Sequence, residues 1–166
     1  MDRNPVVHLD DLTLETLHDG PVFAARAAPV LAPLGARHLG GRLVEIPAGR
    51  RAWPLHNHHA NDEVFVILAG SGVLRLGAAE HPIRAGDVVV CPAGGMEGAH
   101  QLRAGAEGPL RFLALSSMRE PDVLEYPDSG KFMVVAGSAP GGDLAARSFN
   151  HVGRLADGTF YWDGEA

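Results

Sequence analysis

Cysteine, long apolar runs and clusters of basic residues are all scarce in this 166-residue sequence. Cys91 is its single cysteine, so no disulfide can form within the chain. A reducing compartment is therefore favoured, and we expect a cytoplasmic location. No stretch approaches the roughly 20 apolar residues that span a bilayer, so we expect no membrane partner. The first eleven residues contain Asp2, Asp10 and Asp11 and no apolar run, which argues against a signal peptide.

Positive charge is also limited. The chain has 14 Lys and Arg against 20 Asp and Glu, for a formal net charge of −6. The pair Arg50–Arg51 is too short to form a basic patch. Because nucleic-acid binding depends on neutralising phosphates with basic side chains, we expect no nucleic-acid partner.

Glycine and proline, at 21 and 12 residues, are scattered through the chain rather than clustered. Between them lie short segments rich in Val, Ile, Leu and Phe, a spacing typical of many short strands joined by tight turns. The pattern predicts an all-β sandwich or barrel, and the length predicts one domain with a real core. We predict strands at 37–46, Glu63–Ala69, Val73–Leu76, His81–Ile83, Val88–Cys91, 99–103 and Leu110–Leu115, with a hairpin turn at Gly70–Gly72.

The two ends of the chain differ from this central block of strands. We divide the sequence into an N-terminal arm at 1–36, a barrel core at 37–117 and a C-terminal extension at 118–166. The arm is expected to be a short helix or an irregular segment that wraps the barrel or meets a second subunit. The extension is expected to be irregular apart from a possible strand at 132–136. Its aromatic tail, 160–163, is expected to pack on the barrel or on a partner.

The segment richest in chemistry is the stretch from His56 to Glu63, which holds three histidines. In a strand, residues two apart point to the same side, so His56 and His58 can direct two imidazoles at one point while His59 faces away. A bend after His59 would bring the Glu63 carboxylate to the same point. Two imidazoles and a carboxylate suit a divalent metal. The alternative is a histidine-rich surface loop without a ligand.

Gly49, His56-Asn57-His58, Glu63 and Gly70 resemble the first conserved motif of the cupin superfamily. That motif places a glycine before an HxH pair, a glutamate three or four residues later, and a glycine after six more. Four residues separate His58 from Glu63, and six separate Glu63 from Gly70, as in the motif. The spacer between Gly49 and His56 is one residue longer than usual.

The segment from Gly86 through Pro92 and Gly94 resembles the second cupin motif. In that motif a histidine follows the last glycine after a short spacer. Here the next histidine is His100, after an insertion of five residues at Gly95–Ala99. Ala104 stands where cupins often have an asparagine. The resemblance implies that His100 joins His56, His58 and Glu63 as a metal ligand.

The resemblance also implies a fold, a cofactor and a range of functions. The expected fold is a double-stranded β-helix, or jelly-roll barrel, with N- and C-terminal extensions. The cofactor would be one divalent ion of iron, manganese, nickel, copper or zinc, with two coordination positions left open. We expect a metal-dependent enzyme acting on a small polar molecule, of dioxygenase, decarboxylase or lyase, or sugar isomerase type. The alternative is a non-catalytic binding or sensor module. Small cupins commonly pair, so a homodimer is expected.

Three further residues near the motifs have possible roles. Glu97, in the insertion before His100, is a candidate catalytic acid or base, with a solvated loop carboxylate as the alternative. Trp53 is expected either at the cavity mouth or in the core. Cys91 is expected to be a small buried hydrophobic residue rather than a ligand or nucleophile.

Overall fold

A computed structural model describes residues 4–165 of the chain. Residues 1–3 and 166 lie outside the described part, and with them Asp2 and the start of the predicted arm. No helix among the described residues has the length and apolarity needed to cross a membrane. The helical segments are single 3-10 turns at Leu9–Asp11, Met96–Gly98, Leu144–Ala146 and Leu155–Asp157.

The described residues are nearly all β, and their strands are numbered here in chain order. The first seven are β1 (Glu15–Asp19), β2 (Ala24–Pro29), β3 (Leu39–Ile46), β4 (Asn57–His58), β5 (Glu63–Ala69), β6 (Ser71–Leu76) and β7 (Ala79–Arg84). The remaining six are β8 (Val88–Cys91), β9 (His100–Ala104), β10 (Leu110–Ser117), β11 (Asp122–Tyr126), β12 (Lys131–Ala136) and β13 (Phe149–Arg154).

These strands form three sheets with antiparallel pairing. The largest has the order β1-β2-β3-β10-β5-β8, and a smaller one has the order β7-β6-β9. The third has the order β13-β12-β11-β4. Neighbours in the large sheet are mostly far apart in sequence, as in β3 beside β10, which is the crossed connectivity of a jelly roll. The predicted all-β jelly-roll fold class is confirmed.

The core lies where the large sheet faces the three-stranded sheet. Alternate residues of each strand point into this core, and β8 is the simplest example. Its Val89 and Cys91 are buried while Val88 and Val90 are exposed, as period-two alternation requires. Phe65 from β5 meets Phe112 from β10 edge to face, with ring centroids 5.8 Å apart. The same cluster includes Leu74 of β6, Ile83 of β7 and Leu102 of β9, which joins the two sheets through one apolar interior.

The predicted hairpin at Gly70–Gly72 is wrong. Strand β5 pairs with β10 and β8, whereas β6 pairs with β7 and β9, so the chain leaves one sheet at Gly70 and enters the other. Gly70 has a φ of +80°, and a Cβ there would collide with the carbonyl oxygen of Pro109. A glycine at this position therefore marks a sheet-to-sheet crossing, which has the same local sequence signature as a tight turn.

Both chain ends contain more strand than predicted. In the N-terminal region β1 and β2 extend the large sheet, with β2 pairing directly with β3. In the C-terminal region β12 confirms the possible strand at 132–136. The irregularity expected for the rest of the extension is wrong, because β11 and β13 pair with β12, and β11 also pairs with β4. Phe160, Tyr161 and Trp162 are 75–85% exposed, so the aromatic tail does not pack on the barrel of its own chain.

Replacing Gly70 by alanine should destabilise the protein more than replacing Gly86. Both have positive φ, of +80° and +94°, which costs an L-residue about 1–2 kcal/mol. A Cβ at Gly86 would meet nothing within 4 Å, whereas at Gly70 it would meet the Pro109 backbone. We expect Gly70→Ala to lower the free energy of unfolding by about 1–3 kcal/mol more than Gly86→Ala does, the usual cost of overpacking. Urea unfolding measures the free energy of unfolding of both variants, and equal losses would show that the crossing at Gly70 is not tight.

Candidate metal centre

Short backbone pairings place His56 opposite His100 and His58 beside the C-terminal sheet. The amide of His100 donates to the carbonyl of His56 at 2.8 Å, and the amide of His56 donates back at 3.2 Å. On the other side β4 pairs with β11, where His58 lies opposite Leu124. Asn57 and His58 therefore form a two-residue strand held between the second motif and the C-terminal sheet. This arrangement makes the three rings neighbours even though His100 is 44 residues from His56 in the sequence.

Each of the three imidazoles is held in one orientation through its Nδ1 atom. Carbonyl and carboxylate oxygens only accept hydrogen bonds, so these contacts require a proton on Nδ1 and leave Nε2 as the atom available to a ligand. The partners are the Pro54 carbonyl for His56 at 2.9 Å, the Asp122 carboxylate for His58 at 2.7 Å and the Gly98 carbonyl for His100 at 3.2 Å.

The three Nε2 atoms converge on the carboxylate of Glu63. Its Oε2 lies 3.7 Å from Nε2 of His56, 3.6 Å from Nε2 of His58 and 2.7 Å from Nε2 of His100. Potential ligand atoms of His56, His58 and Glu63 all lie within 4.8 Å of one another, so these three residues could hold a metal ion. His100 reaches the group through its hydrogen bond to Glu63. The structure thus brings together all four residues predicted as ligands.

Asp122 is a supporting residue that the sequence analysis missed. It is 1% exposed and, besides contacting His58, accepts hydrogen bonds from the Asn61 side chain at 2.8 Å and the Ala60 amide at 2.9 Å. A carboxylate behind a ligand histidine fixes its tautomer and strengthens it as a ligand. Asp122 lies 64 residues beyond His58, and no spacing rule connects them, so only the pairing of β4 with β11 reveals the contact.

The pKa values of the clustered side chains are shifted by burial and by their mutual contacts. Burial alone would raise the pKa of Glu63, but the hydrogen bond from His100 and the nearby imidazoles lower it to about 2. Burial lowers the pKa of His56 to about 4. Burial also acts to lower the pKa of His100, yet contacts with Cys91 and Glu63 prevail and raise it to about 10. At neutral pH the carboxylate is therefore ionised, His56 is neutral, and His100 carries a proton that a metal would have to displace.

A pocket of about 240 Å³ opens above this centre. His56, His58 and Glu63 line it, and the Tyr126 ring stacks on the His56 ring with centroids 6.2 Å apart. Trp53 occupies both of its predicted environments, because it lines the pocket and packs against the core. The other walls come from β3, from β10 and the residue after it, from the C-terminal sheet and from the segment after β12. Their lining residues include Arg42, Ala114, Ser116, Met118, Leu124, Met133, Pro140, Gly141 and Arg147.

The other predicted residues are not part of the cluster formed by His56, His58, Glu63 and His100, although Cys91 on β8 pairs with Glu63 and adjoins His100. Glu97 is exposed, accepts a hydrogen bond from the Gly95 amide at 3.2 Å, and is not among the described residues lining the pocket. Its catalytic role stays a prediction. Cys91 is buried in the core, as expected. The ring of His59 faces away from the centre and pairs with Glu125 at 2.8 Å.

Comparison with known families agrees with the fold and the motifs. Residues 42–116 match the family model described as the cupin domain. This stretch is therefore a cupin domain, as its two motifs predicted. Comparison with curated protein sequences finds no match.

Several solved structures share the fold. A protein from Acidithiobacillus ferrooxidans ATCC 23270, provisionally assigned as a sugar phosphate isomerase, has a TM-score of 0.80 at 22% identity, covering 96% of this chain and 98% of that chain. A sugar phosphate isomerase from a cupin superfamily of Silicibacter pomeroyi DSS-3 has a TM-score of 0.73 at 21% identity, with the same two coverages of 96% and 98%. A predicted oxalate decarboxylase from Thermotoga maritima has a TM-score of 0.55 at 25% identity, covering 68% of this chain and 97% of that chain.

Replacing Asp122 by alanine should destabilise the protein by about 2–4 kcal/mol, because His58, Asn61 and Ala60 all lose a buried acceptor. Asp143→Ala is the control, since Asp143 is exposed and accepts one hydrogen bond, from Ala145. It should cost about 1 kcal/mol.

The cost of Asp122→Ala should depend on pH. Burial acts to raise the pKa of Asp122, but hydrogen bonds from His58 and Asn61 lower it below its ordinary value of 3.8. A depressed carboxyl pKa stabilises the fold above that ordinary value, and the contribution is lost as the pH falls through the folded-state pKa. The difference from wild type, measured by denaturant unfolding, should therefore shrink below about pH 4. A difference that stays constant down to pH 2 would contradict this role.

Proposed function

We propose that the protein is a metal-dependent enzyme acting on a small polar molecule, with His56, His58, Glu63 and His100 as the metal ligands. The observation that carries the proposal is the convergence of three fixed Nε2 atoms on one half-buried carboxylate at the base of a pocket. Imidazole and carboxylate donors suit iron, manganese, nickel, copper or zinc, and donor type alone does not select among them. A divalent ion bound here would supply Lewis acidity toward a carbonyl or carboxylate oxygen of the substrate.

The chain's own residues would position the substrate. The pocket wall combines apolar side chains with polar groups from Tyr126, Arg42 and Arg147, the composition expected where a few polar groups set orientation. Burial raises the pKa of Tyr126, although the charge of Arg147 opposes this. Its hydroxyl therefore stays protonated at neutral pH and can donate a hydrogen bond to a substrate oxygen. Trp53 and Phe65 exclude water from the neighbouring wall.

Among the reaction types considered, sugar isomerisation is favoured over oxygen chemistry. A pocket with two arginines suits a polar, hydroxylated or anionic substrate better than an apolar one. Two solved structures match this chain over 98% of their own length, and both are described as sugar phosphate isomerases. At 22% and 21% identity, this likeness supports the fold alone. The choice of reaction therefore depends on the pocket. Dioxygenase and decarboxylase or lyase activities are the competing assignments to be assayed beside it.

Two further proposals concern the oligomeric state of the protein and its location in the cell. We propose a homodimer, because the exposed Phe160, Tyr161 and Trp162 offer apolar surface that a second subunit could cover. We also propose a cytoplasmic location, on the grounds of the single, buried Cys91.

His56→Ala should abolish tight metal binding and turnover while the fold is kept. Loss of a residue that only supports a metal ligand lowers metal affinity by about 10- to 100-fold, and loss of a ligand itself should lower it further. His59→Ala is the matched control, because it removes an adjacent imidazole that faces Glu125 instead of the centre. Elemental analysis of purified protein, with circular dichroism as a check on folding, measures both variants.

The outcomes separate the two functional classes. Metal retained in His59→Ala and lost in His56→Ala supports the ligand set, and turnover of a sugar, a carboxylic acid or an oxygen-dependent substrate by the metal-loaded form supports an enzyme. Ligand-induced thermal stabilisation without any product would instead favour a non-catalytic sensor. Equal metal content in wild type and both variants would reject the proposed centre.

The pH dependence of metal affinity tests whether His100 is the fourth ligand. Its pKa is raised to about 10, so below that value a metal must displace one proton from it. Apparent Zn²⁺ affinity should therefore rise about tenfold per pH unit between about pH 6.5 and 8.5. The slope should be shallower in His100→Asn, measured by competition with a chromophoric chelator at each pH. Identical slopes for the two proteins would mean that His100 keeps its proton and is not a ligand.

A further inference from the structure

Two arginines line the pocket without a carboxylate partner. Arg42, from β3, donates from Nη2 to the Gly141 carbonyl at 2.6 Å, and Arg147 donates from Nη1 to the Asn150 side chain at 3.2 Å. Within residues 4–165 no Asp or Glu oxygen lies within ion-pair distance of either guanidinium. Other arginines of this chain do form such pairs, namely Arg26, Arg75, Arg103 and Arg111. The two pocket arginines therefore present positive charge that the described protein does not neutralise.

Their hydrogen-bonding capacity is also incompletely used. A guanidinium has five N–H donors, and the contacts above use one of them in each arginine. The Nε of Arg147 is buried and has no hydrogen-bond partner among the described residues. A buried donor without an acceptor is costly, and an oxyanion is the acceptor that best matches the fork of a guanidinium. The donors that an oxyanion in the pocket could meet are therefore the Nη groups that these contacts leave free, since Nε is enclosed by the protein.

The charge balance of the pocket agrees with this. Glu63 is the one acidic residue among the described residues that line it, and it is already paired with His100. Although the chain as a whole has a net charge of −6, the two arginines make this pocket locally positive, and a local positive potential attracts anions. Arg42 and Arg147 line the same pocket as His56 and His58. An anion held by the arginines would therefore lie in the cavity onto which the histidine cluster opens.

We propose that Arg42 and Arg147 form an oxyanion subsite that binds the phosphate or carboxylate group of the substrate while its other end reaches the centre at His56, His58 and Glu63. This inference rests on the proposed function and narrows its substrate class to anionic molecules. The pocket volume of about 240 Å³ fits a small substrate, since it lies below the about 300–1,000 Å³ of drug-sized sites.

The test is a binding titration that does not require turnover. Chelator-treated and metal-loaded protein are titrated with inorganic phosphate, a pentose 5-phosphate, the unphosphorylated pentose and the corresponding aldonic acid. The fluorescence of Trp53, which lines the pocket, and the thermal midpoint report binding. Arg147→Met and Arg42→Met are compared with Arg84→Met, which removes the same charge from an exposed residue that is not in the pocket. Arg42→Lys keeps a donor for Gly141 in case Arg42→Met disturbs that segment.

We expect chelator-treated wild type and Arg84→Met to bind one class of anion and not the neutral pentose. Each pocket variant that keeps its thermal midpoint without ligand should bind about 10- to 100-fold more weakly, the usual effect of losing a charged hydrogen bond. Preference for the phosphorylated sugar or for the aldonic acid identifies which oxyanion the subsite accepts.

Anion binding that survives both arginine substitutions but requires metal and His56 would overturn the subsite, since the metal alone would then hold the anion. Equal affinity for the pentose and its phosphate would also overturn it. Arginine-dependent anion binding by a protein that takes up no metal when reloaded after chelator treatment would uphold the subsite and reject the proposed metal enzyme, so the two failures are distinguishable.

Discussion

The site depends on keeping one carboxylate ionised inside a closed β structure. An ionised group removed from water is costly unless it is paired and hydrogen-bonded. Glu63 meets that condition through the hydrogen bond from His100 and the two other imidazoles around it. The arrangement that makes this half-buried anion tolerable also includes three residues, His56, His58 and Glu63, that could hold a metal ion. The surrounding strands serve mainly to hold the paired side chains at these distances.

The three sheets contribute different parts to this centre. The large sheet carries Glu63 on β5, the three-stranded sheet carries His100 on β9, and the third sheet carries His58 on β4. The third sheet also supplies Asp122 and Tyr126, so residues beyond the cupin domain match both orient His58 and build the pocket. This explains why the C-terminal region belongs to the site rather than forming a separate appendage.

Much of the fold and of the ligand set could be predicted from local patterns. The limits of β5 and β8 were predicted correctly, because strong β-formers lie between turn residues there, and HxH followed by a glutamate identified three clustered residues. Strand partners could not be predicted in this way. A glycine after an apolar run is compatible with a hairpin or with a sheet crossing, and the choice at Gly70 depends on where Pro109 lies in the folded chain. The extra strands at both ends were missed because their sequences lack a clear alternation.

The sequence by itself determined the all-β character, the cupin domain and the identity of four residues with metal-binding chemistry, since these depend on residue type and short spacing. Only the tertiary structure decided that Asp122 supports His58, that Glu97 is exposed, and that Arg42 and Arg147 line one pocket. These relations join residues tens of positions apart through strand pairing. The pairing energy is spread over whole sheets, so no local stretch of sequence encodes it.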